Sequence, residues 1–286
     1  MRLTSGLVGL ALAAGLVPGL ARAENIFGLT GDNKIVTFDS ATPGTVTSSA
    51  AITGLGSDVL TGVDFRPATK QLYSVATNGN LYKVSPSGGT FAATLVGNIG
   101  VGLTGVGYGI DFNPTVDRLR FIGDTDQNLR INPNTGVTLT DAAIDSAGGL
   151  FRFDIIGSAY TNSFAGATST VLYGLDAAGD QLLRSTGPNA GAYVSVGSLG
   201  LSLTPTDSLG FDISSLTRTA YFNVGSKFYT LSLVSGGAAL VGSLGAGELV
   251  GITAFGVPEP STWALMIGGF GMAGMALRSR RRAARA

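Results

Sequence analysis

The chain has 286 residues, with 18 basic and 18 acidic side chains, no cysteine and no histidine. The missing histidine excludes the Ser-His-Asp triad, the Cys-His dyad and histidine-ligated zinc or iron, and the missing cysteine excludes disulfides. Residues 24–257 carry 17 acidic and 11 basic side chains with no basic run, which argues against nucleic acid as a partner.

The first 23 residues have the pattern of a secretory signal peptide. Arg2 precedes an apolar core at residues 7–20, and Ala21, Arg22 and Ala23 form a small-x-small cleavage site. The sequence therefore predicts an N-terminal signal helix, cleavage between Ala23 and Glu24, and the Sec export machinery as a partner.

Residues 24–256 repeat with a period near 48 residues. Each unit has an aromatic strand, a second strand after a turn, a third strand that ends in glycine in three copies, and a fourth strand. The aromatic residues are Phe27, Tyr73, Phe121, Tyr173 and Tyr221, and the fourth strands fall at 62–65, 109–112, 155–158, 210–213 and 251–255. Four short strands at this period are typical of a propeller blade, because a blade buries both faces only by stacking in a ring.

The fold prediction is therefore an all-β domain at residues 24–256, a β-propeller of five four-stranded blades. A β-sandwich is the alternative. A further blade in the longer interval 136–153 is left open. Aromatic residues that recur at one strand position are expected to pack between blades rather than to stack on sugars.

Asp64, Asp111 and Asp212 occupy the same position in three of the fourth strands. In a ring they would converge near the axis, and five-bladed propellers with converging carboxylates include glycoside hydrolases. Aspartate also commonly ends a strand and accepts a hydrogen bond from the following turn. Since structural roles repeat in every blade while a catalytic site needs blades to differ, the sequence favours the structural role over ligand binding.

Asp124, Asp126 and Asn128 offer oxygen atoms at alternate positions, as at the start of a calcium loop. Leu129 stands where that loop needs glycine, and Thr135 stands where it needs glutamate. A hairpin turn is therefore favoured. The sequence predicts no cofactor and no metal, with calcium at these three residues as the alternative.

Arg118, Arg120 and Arg130 cluster in the third repeat. The acidic residues nearest to them in the sequence are Asp117, Asp124 and Asp126. An ion-pair network is favoured, and a patch that grips acidic sugars through bidentate contacts is the alternative.

Two Gly-x-Asp-Phe-x-Pro segments, at 62–67 and 109–114, precede Asp117-Arg118-Leu119-Arg120 and Asn128-Leu129-Arg130-Ile131-Asn132-Pro133. Over residues 25–255 this pattern resembles domain-of-unknown-function family 4394. The family carries no known activity, so the resemblance supports the fold prediction and leaves the function open.

The last thirty residues, 257–286, combine a short polar motif, an apolar segment at 263–277 and a basic stop. The motif is Pro258, Glu259 and Pro260, and the basic stop is Arg278, Arg280, Arg281 and Arg282. This order resembles the PEP-CTERM sorting signal of Gram-negative bacteria that make exopolysaccharide. The resemblance implies a membrane enzyme, exosortase, as a partner, cleavage near the motif, transient residence in the inner membrane, and delivery to the cell surface or extracellular matrix.

A C-terminal transmembrane-like helix is expected at the apolar segment. At ~1.5 Å per residue the segment spans about 22 Å, against a hydrocarbon core of ~30 Å. Such a marginal span suits a temporary signal better than an ordinary tail anchor, which is the alternative.

These features predict an exported, non-enzymatic β-propeller that binds exopolysaccharide or protein at the cell surface. The alternative is a carboxylate-dependent glycan hydrolase or lyase that acts at the propeller axis. An enzyme of that kind needs two buried carboxylates within about 10 Å of each other.

Overall fold

Short strands separated by tight turns make up the fold. The structure is a computed structural model that describes residues 23–146 and 152–255. Within these two ranges there are 21 β-strands, one 3-10 helix at Pro188–Ala190 and no α-helix, so the prediction of an all-β fold is confirmed. The predicted signal helix and C-terminal helix lie outside the described residues. Across the described part of the chain, no helix is long and apolar enough to cross a bilayer.

The strands form five antiparallel groups. The first group, in the order β21-β1-β2-β3, is β1 (Asn25–Leu29), β2 (Lys34–Asp39), β3 (Val46–Thr53) and β21 (Gly251–Phe255). The second is β4 (Asp64–Arg66), β5 (Gln71–Val75), β6 (Asn80–Ser87) and β7 (Thr90–Asn98). The third is β8 (Tyr108–Asn113), β9 (Arg118–Gly123), β10 (Asn128–Ile131) and β11 (Thr138–Thr140).

The fourth group is β13 (Ile155–Tyr160), β14 (Leu172–Asp176), β15 (Gln181–Gly187) and β16 (Ala192–Ser198). A two-residue strand, β12 (Asp145–Ser146), pairs in parallel with β16. The fifth group is β17 (Leu209–Ile213), β18 (Ala220–Val224), β19 (Lys227–Leu231) and β20 (Ala238–Ser243). A short parallel pairing of β3 with β7 joins the first two groups into one eight-stranded sheet.

One end strand of each group faces the centre of the molecule. These inner strands are β4, β8, β13, β17 and β21, and they coincide with the predicted fourth strands. Each contacts the next in cyclic order, from β4 to β8, β13, β17 and β21, and β21 returns to β4. Glycine allows this close approach, since a Cβ atom on Gly109 would lie 2.5 Å from the backbone nitrogen of Ser158.

Strand register shows which residues are equivalent in the five groups. The residue pairs that face each other across the inner and second strands are Phe27–Thr253, Tyr73–Asp64, Arg120–Asp111, Tyr173–Ala159 and Tyr221–Asp212. The third group therefore has Arg120 at the aromatic position, and the prediction of Phe121 there is wrong by one residue.

The hydrophobic core consists of five clusters, each between two neighbouring groups. Tyr73 and Phe112, for example, belong to the second and third groups and meet edge to face with ring centroids 5.3 Å apart. Phe38 and Phe228 form the same contact between the first and fifth groups at 5.2 Å. The interval 136–153 contributes only β11 and β12 within the described residues, so this part of it holds no further four-stranded unit.

Candidate functional site

Three carboxylates converge where the inner strands meet. Asp64, Asp111 and Asp212 each stand two residues after a glycine, on β4, β8 and β17. One ligand oxygen from each lies within 4.8 Å of the others. The three residues are 5%, 1% and 4% exposed. The structure therefore brings the three predicted residues into one buried cluster, here called the axial carboxylates.

The axial carboxylates join neighbouring inner strands rather than the turns that follow them. Asp64 Oδ2 accepts a hydrogen bond from the backbone N–H of Phe112 on β8 at 2.7 Å. Asp212 Oδ2 accepts one from the backbone N–H of Ala254 on β21. Asp64 Oδ1 and Asp212 Oδ1 also accept the N–H of the next residue, from Phe65 at 2.7 Å and from Ile213 at 2.6 Å. The links to neighbouring inner strands add to these local contacts and were not predicted from the sequence.

The other two inner strands place Thr253 and Ala159 at the equivalent position. The Thr253 hydroxyl lies 2.9 Å from Asp64 Oδ1 and 3.0 Å from Asp212 Oδ2. A hydroxyl has one proton to donate, so it satisfies only one of two ionised carboxylates. Asp111 Oδ1 is buried and has no hydrogen-bond partner among the described residues. The cluster is therefore short of positive charge or protons.

Burial and mutual repulsion disfavour the ionised forms. Burial, followed by the charge of Asp212, raises the pKa of Asp64 well above its ordinary value. Burial, followed by the charges of Asp64 and Asp212, does the same to the pKa of Asp111. Burial raises the pKa of Asp212 to about 6. None of the salt bridges within the described ranges includes an axial carboxylate.

A water-sized cavity lies beside the axial carboxylates, at the glycines that stand two residues before the aspartate positions of the inner strands. Its volume is about 10 Å³, and the glycines of all five inner segments line it: Gly62, Gly109, Gly157, Gly210 and Gly251. Ser158 also lines this cavity, and its buried Oγ has no partner in the described part of the chain.

A wider depression opens where the inner strands begin. Its volume is about 230 Å³, and its polar lining residues are Thr61, Thr77, Tyr108, Thr206, Asp207 and Ser208. The cavity lies between this depression and the carboxylates, so a water molecule fits on the direct route between them and a sugar ring does not.

Two of the three predicted arginines form a buried ion-pair network. Arg120 is 1% exposed, and its guanidinium donates to Asp141 Oδ2 at 2.7 Å, Asn128 Oδ1 at 2.6 Å and Asn189 Oδ1 at 2.8 Å. Arg130 donates to both oxygens of Asp141, at 2.6 and 2.7 Å. The partner is Asp141, which follows β11 and was not among the aspartates expected to pair.

Arg118 does not share these contacts. It donates to the backbone carbonyls of Val116 and Asp117. The Asp117 carboxylate pairs instead with Arg66, which was not predicted as a candidate from the sequence. Arg66 stands two residues after Asp64, inside the first Gly-x-Asp-Phe-x-Pro segment. This segment is the sequence feature that could have identified Arg66 as a candidate.

The residues of the calcium-loop alternative bind other protein groups. Asp124 Oδ1 accepts the backbone N–H of Val106 at 3.0 Å, Asp126 pairs with Arg152, and Asn128 accepts from Arg120. Each of these three side chains is therefore already engaged by another group of the protein.

The sorting residues Pro258, Glu259 and Pro260, the basic stop Arg278, Arg280, Arg281 and Arg282, and Ala21 lie outside the described residues. Glu24, the predicted first residue after cleavage, is 4% exposed. Its N–H donates to Ser40 Oγ at 2.9 Å, and its Oε1 accepts from Ser214 Oγ at 2.9 Å. The chain is thus already part of the core at the predicted cleavage point.

Family models match almost the whole chain beyond the first 33 residues. A domain of unknown function, DUF4394, matches residues 34–253, and the PEP-CTERM protein-sorting motif matches residues 256–282. A comparison with curated proteins finds no match.

Several solved structures are similar to parts of this chain. A protein of unknown function from Bacteroides thetaiotaomicron is 14% identical with a TM-score of 0.42, over 77% of this chain and 58% of that chain. Glutaminyl cyclase from Myxococcus xanthus is 12% identical with a TM-score of 0.43, over 71% and 90%. An auxiliary nutrient binding protein from Bacteroides thetaiotaomicron is 10% identical with a TM-score of 0.44, over 70% and 53%. The matched region thus spans little more than half the length of the two Bacteroides proteins.

Proposed function

Because the chain belongs to the DUF4394 family and carries a PEP-CTERM sorting motif, we propose that it is an exported protein, sorted by exosortase, that binds exopolysaccharide at the cell surface without catalysing a reaction. The sorting motif supports the delivery route. The polar depression at the centre of the fold supports the binding role and is the observation that carries it.

The fold that we propose for this role is a five-bladed β-propeller, with one strand group as each blade. Two features support a closed ring: the cyclic contacts of the inner strands, and the core clusters between each pair of neighbouring groups. The antiparallel pairing of β21 with β1 combines strands from the two ends of the domain in one blade. Closure of this kind leaves only short edges exposed.

The burial of the axial carboxylates favours binding over glycan hydrolysis. The proximity that a hydrolase needs is met, since the three ligand oxygens lie within 4.8 Å of one another. Glycoside hydrolases, however, place their carboxyl pair about 5–9.5 Å apart around a sugar ring and a water. The axial carboxylates are at most 5% exposed, and the cavity on their glycine side holds about 10 Å³, which is too small for that ring.

The depression has the chemistry to hold a neutral, hydroxyl-rich ligand. Threonine and serine hydroxyls donate and accept hydrogen bonds, and the Tyr108 ring adds an apolar surface. Val106, at the rim, is 63% exposed. These groups match the alternating polar and apolar faces of a sugar better than they match a charged ligand.

Val106→Arg is expected to weaken binding of purified native exopolysaccharide by about tenfold or more, because a long charged side chain would fill the depression. Co-sedimentation of the full chain with the polysaccharide measures this. Val116→Arg is the matched control, because Val116 is 53% exposed and does not line the depression. Equal binding by the two variants would contradict the assignment of the depression, and release of reducing ends by the wild-type chain would favour the hydrolase alternative.

Replacement of Glu259 by alanine is expected to block sorting almost completely. The unprocessed chain should then accumulate in the inner membrane. The same result is expected when the basic stop, Arg278, Arg280, Arg281 and Arg282, is replaced by glutamate, because the positive charges hold the tail on the cytoplasmic side. Cell fractionation and the size of the product measure this. Glu248→Ala, an exposed change outside the motif, is the control. Normal processing of Glu259→Ala would show that the motif is not recognised as proposed.

A further inference from the structure

We propose that Asp64, Asp111 and Asp212 bind one calcium ion at the centre of the fold. Their ligand oxygens converge to within 4.8 Å, and the three residues come from three different inner strands. The site is separate from the depression that binds the proposed surface ligand, and from the Asp124 loop considered in the sequence.

The first argument is charge balance. Three carboxylates are buried together, none of them in a salt bridge within the described ranges. Burial of an ionised carboxylate is costly unless hydrogen bonds, a positive charge or a metal ion compensates it, and three such groups at one place also repel one another. Thr253 and four backbone N–H groups donate to Asp64 and Asp212, but none of these donors carries a positive charge, so the described residues do not balance the charge of three ionised carboxylates.

The second argument is a pair of buried polar atoms without partners. Asp111 Oδ1 belongs to the cluster and leaves both of its lone pairs unused by the described residues. Ser158 Oγ, on the neighbouring inner strand, is likewise unpartnered and lines the adjacent water-sized cavity. Buried polar atoms normally have partners, so two of them on neighbouring inner strands point to a bound ligand. A cation with one bound water would satisfy both atoms.

The donor set selects a hard cation. Every available atom is a carboxylate or hydroxyl oxygen, the type preferred by calcium and magnesium. Ligands at ~2.3–2.6 Å from calcium lie up to about 5 Å apart, whereas ligands at ~2.1 Å from magnesium lie at most about 4.2 Å apart. Oxygen atoms that all lie within 4.8 Å of one another fit the calcium range with little rearrangement, and the magnesium arm of the test below separates the two ions.

Calcium bound here would link β4, β8 and β17, which belong to the second, third and fifth groups. These strands are far apart in the sequence and meet only in the folded state. An ion that binds the folded chain alone stabilises it in proportion to its occupancy.

The test compares the full chain, purified in mild detergent, after dialysis against EDTA and after addition of millimolar calcium. We expect about one calcium per chain by mass spectrometry of the metal, and a rise in Tm of about 5–10 °C. Magnesium should give a smaller rise. A metal content below about 0.1 per chain, with no change in Tm, would overturn the proposal and leave the cluster neutralised by protons alone.

Variants locate the ion. Asp111→Asn should lose both the bound calcium and the calcium-dependent rise in Tm. Asp176→Asn is the matched control, because Asp176 is fully buried and hydrogen-bonded to backbone N–H groups but lies outside the cluster. Equal loss in both variants, or retention in Asp111→Asn, would place the ion elsewhere and overturn the assignment. Should Asp111→Asn fail to fold, the stoichiometry of the wild-type chain and its Tm response decide the question.

Discussion

Gly210→Ala is expected to destabilise the protein by about 3 kcal/mol, because the inner strands leave no room for a single methyl group. A Cβ atom at Gly210 would lie 2.2 Å from the backbone nitrogen of Ile252 and 2.6 Å from the carbonyl carbon of Gly251. Both atoms belong to β21, whose other edge is paired with β1 along five residues. Backbone held in this way relaxes only if the contact between the first and fifth groups opens.

Chemical denaturation of the wild-type chain and of Gly210→Ala measures this loss of stability. Gly102→Ala is the matched control, since a Cβ atom there has no neighbour within 4 Å and the backbone has no positive φ. This control should change stability by less than about 0.5 kcal/mol. A similar loss in both variants would contradict close approach of the inner strands as the cause, since the unfolded-chain effect of Gly→Ala alone stabilises a protein.

The inner strands could be predicted because their signal is local and repeated. A glycine two residues before an aspartate recurs at the period of the fold, and glycine is the residue that lets strands approach at the centre. The same repetition correctly indicated that Asp64, Asp111 and Asp212 are equivalent. It did not indicate their burial, which depends on how close the five inner strands come to one another in three dimensions.

Register was less predictable than the strands themselves. In the third repeat the aromatic Phe121 suggested the alignment, but the preceding Leu119 is the residue equivalent to Leu72, so Arg120 faces Asp111. In the fourth group, Gly157 is the glycine equivalent to Gly210, so Ala159, two residues later, faces Tyr173 and stands at the aspartate position. A single residue of slippage is invisible to a pattern of short alternating strands.

The acidic partner of Arg120 and Arg130 could also not be predicted from the sequence. Asp141 lies 11 residues beyond Arg130 and 21 beyond Arg120, and it meets both only because β9, β10 and β11 pair side by side. The expected partners were nearer in the sequence but lie on turns that face other groups. Proximity along a chain is a poor guide to ion pairs in a sheet, since neighbouring strands bring together residues of quite different number.

Arg120→Met is expected to cost about 3 kcal/mol at neutral pH, near the lower end of the range for a broken buried ion pair, because Arg130 still holds Asp141. The side chains of Arg120 and Asp141 are 1% and 6% exposed. Removal of the guanidinium also leaves Asn128 Oδ1 and Asn189 Oδ1 without their charged donor. Arg118→Met, two residues earlier on the same strand, should change stability by less than about 0.5 kcal/mol, since within residues 23–146 and 152–255 the Arg118 side chain donates only to backbone carbonyls.

The pH dependence separates charge pairing from packing in this comparison. Burial alone would raise the pKa of Asp141, but hydrogen bonds from Arg130 and Arg120 lower it below its ordinary value. A lowered pKa stabilises the folded state above the ordinary value of about 4, and that contribution is lost as pH falls through the lowered value. The cost of Arg120→Met, measured by denaturation at a series of pH values, should therefore shrink below about pH 4. A cost that stays constant down to pH 2 would mean that the aliphatic stem of Arg120 stabilises the fold by packing and that its charge does not.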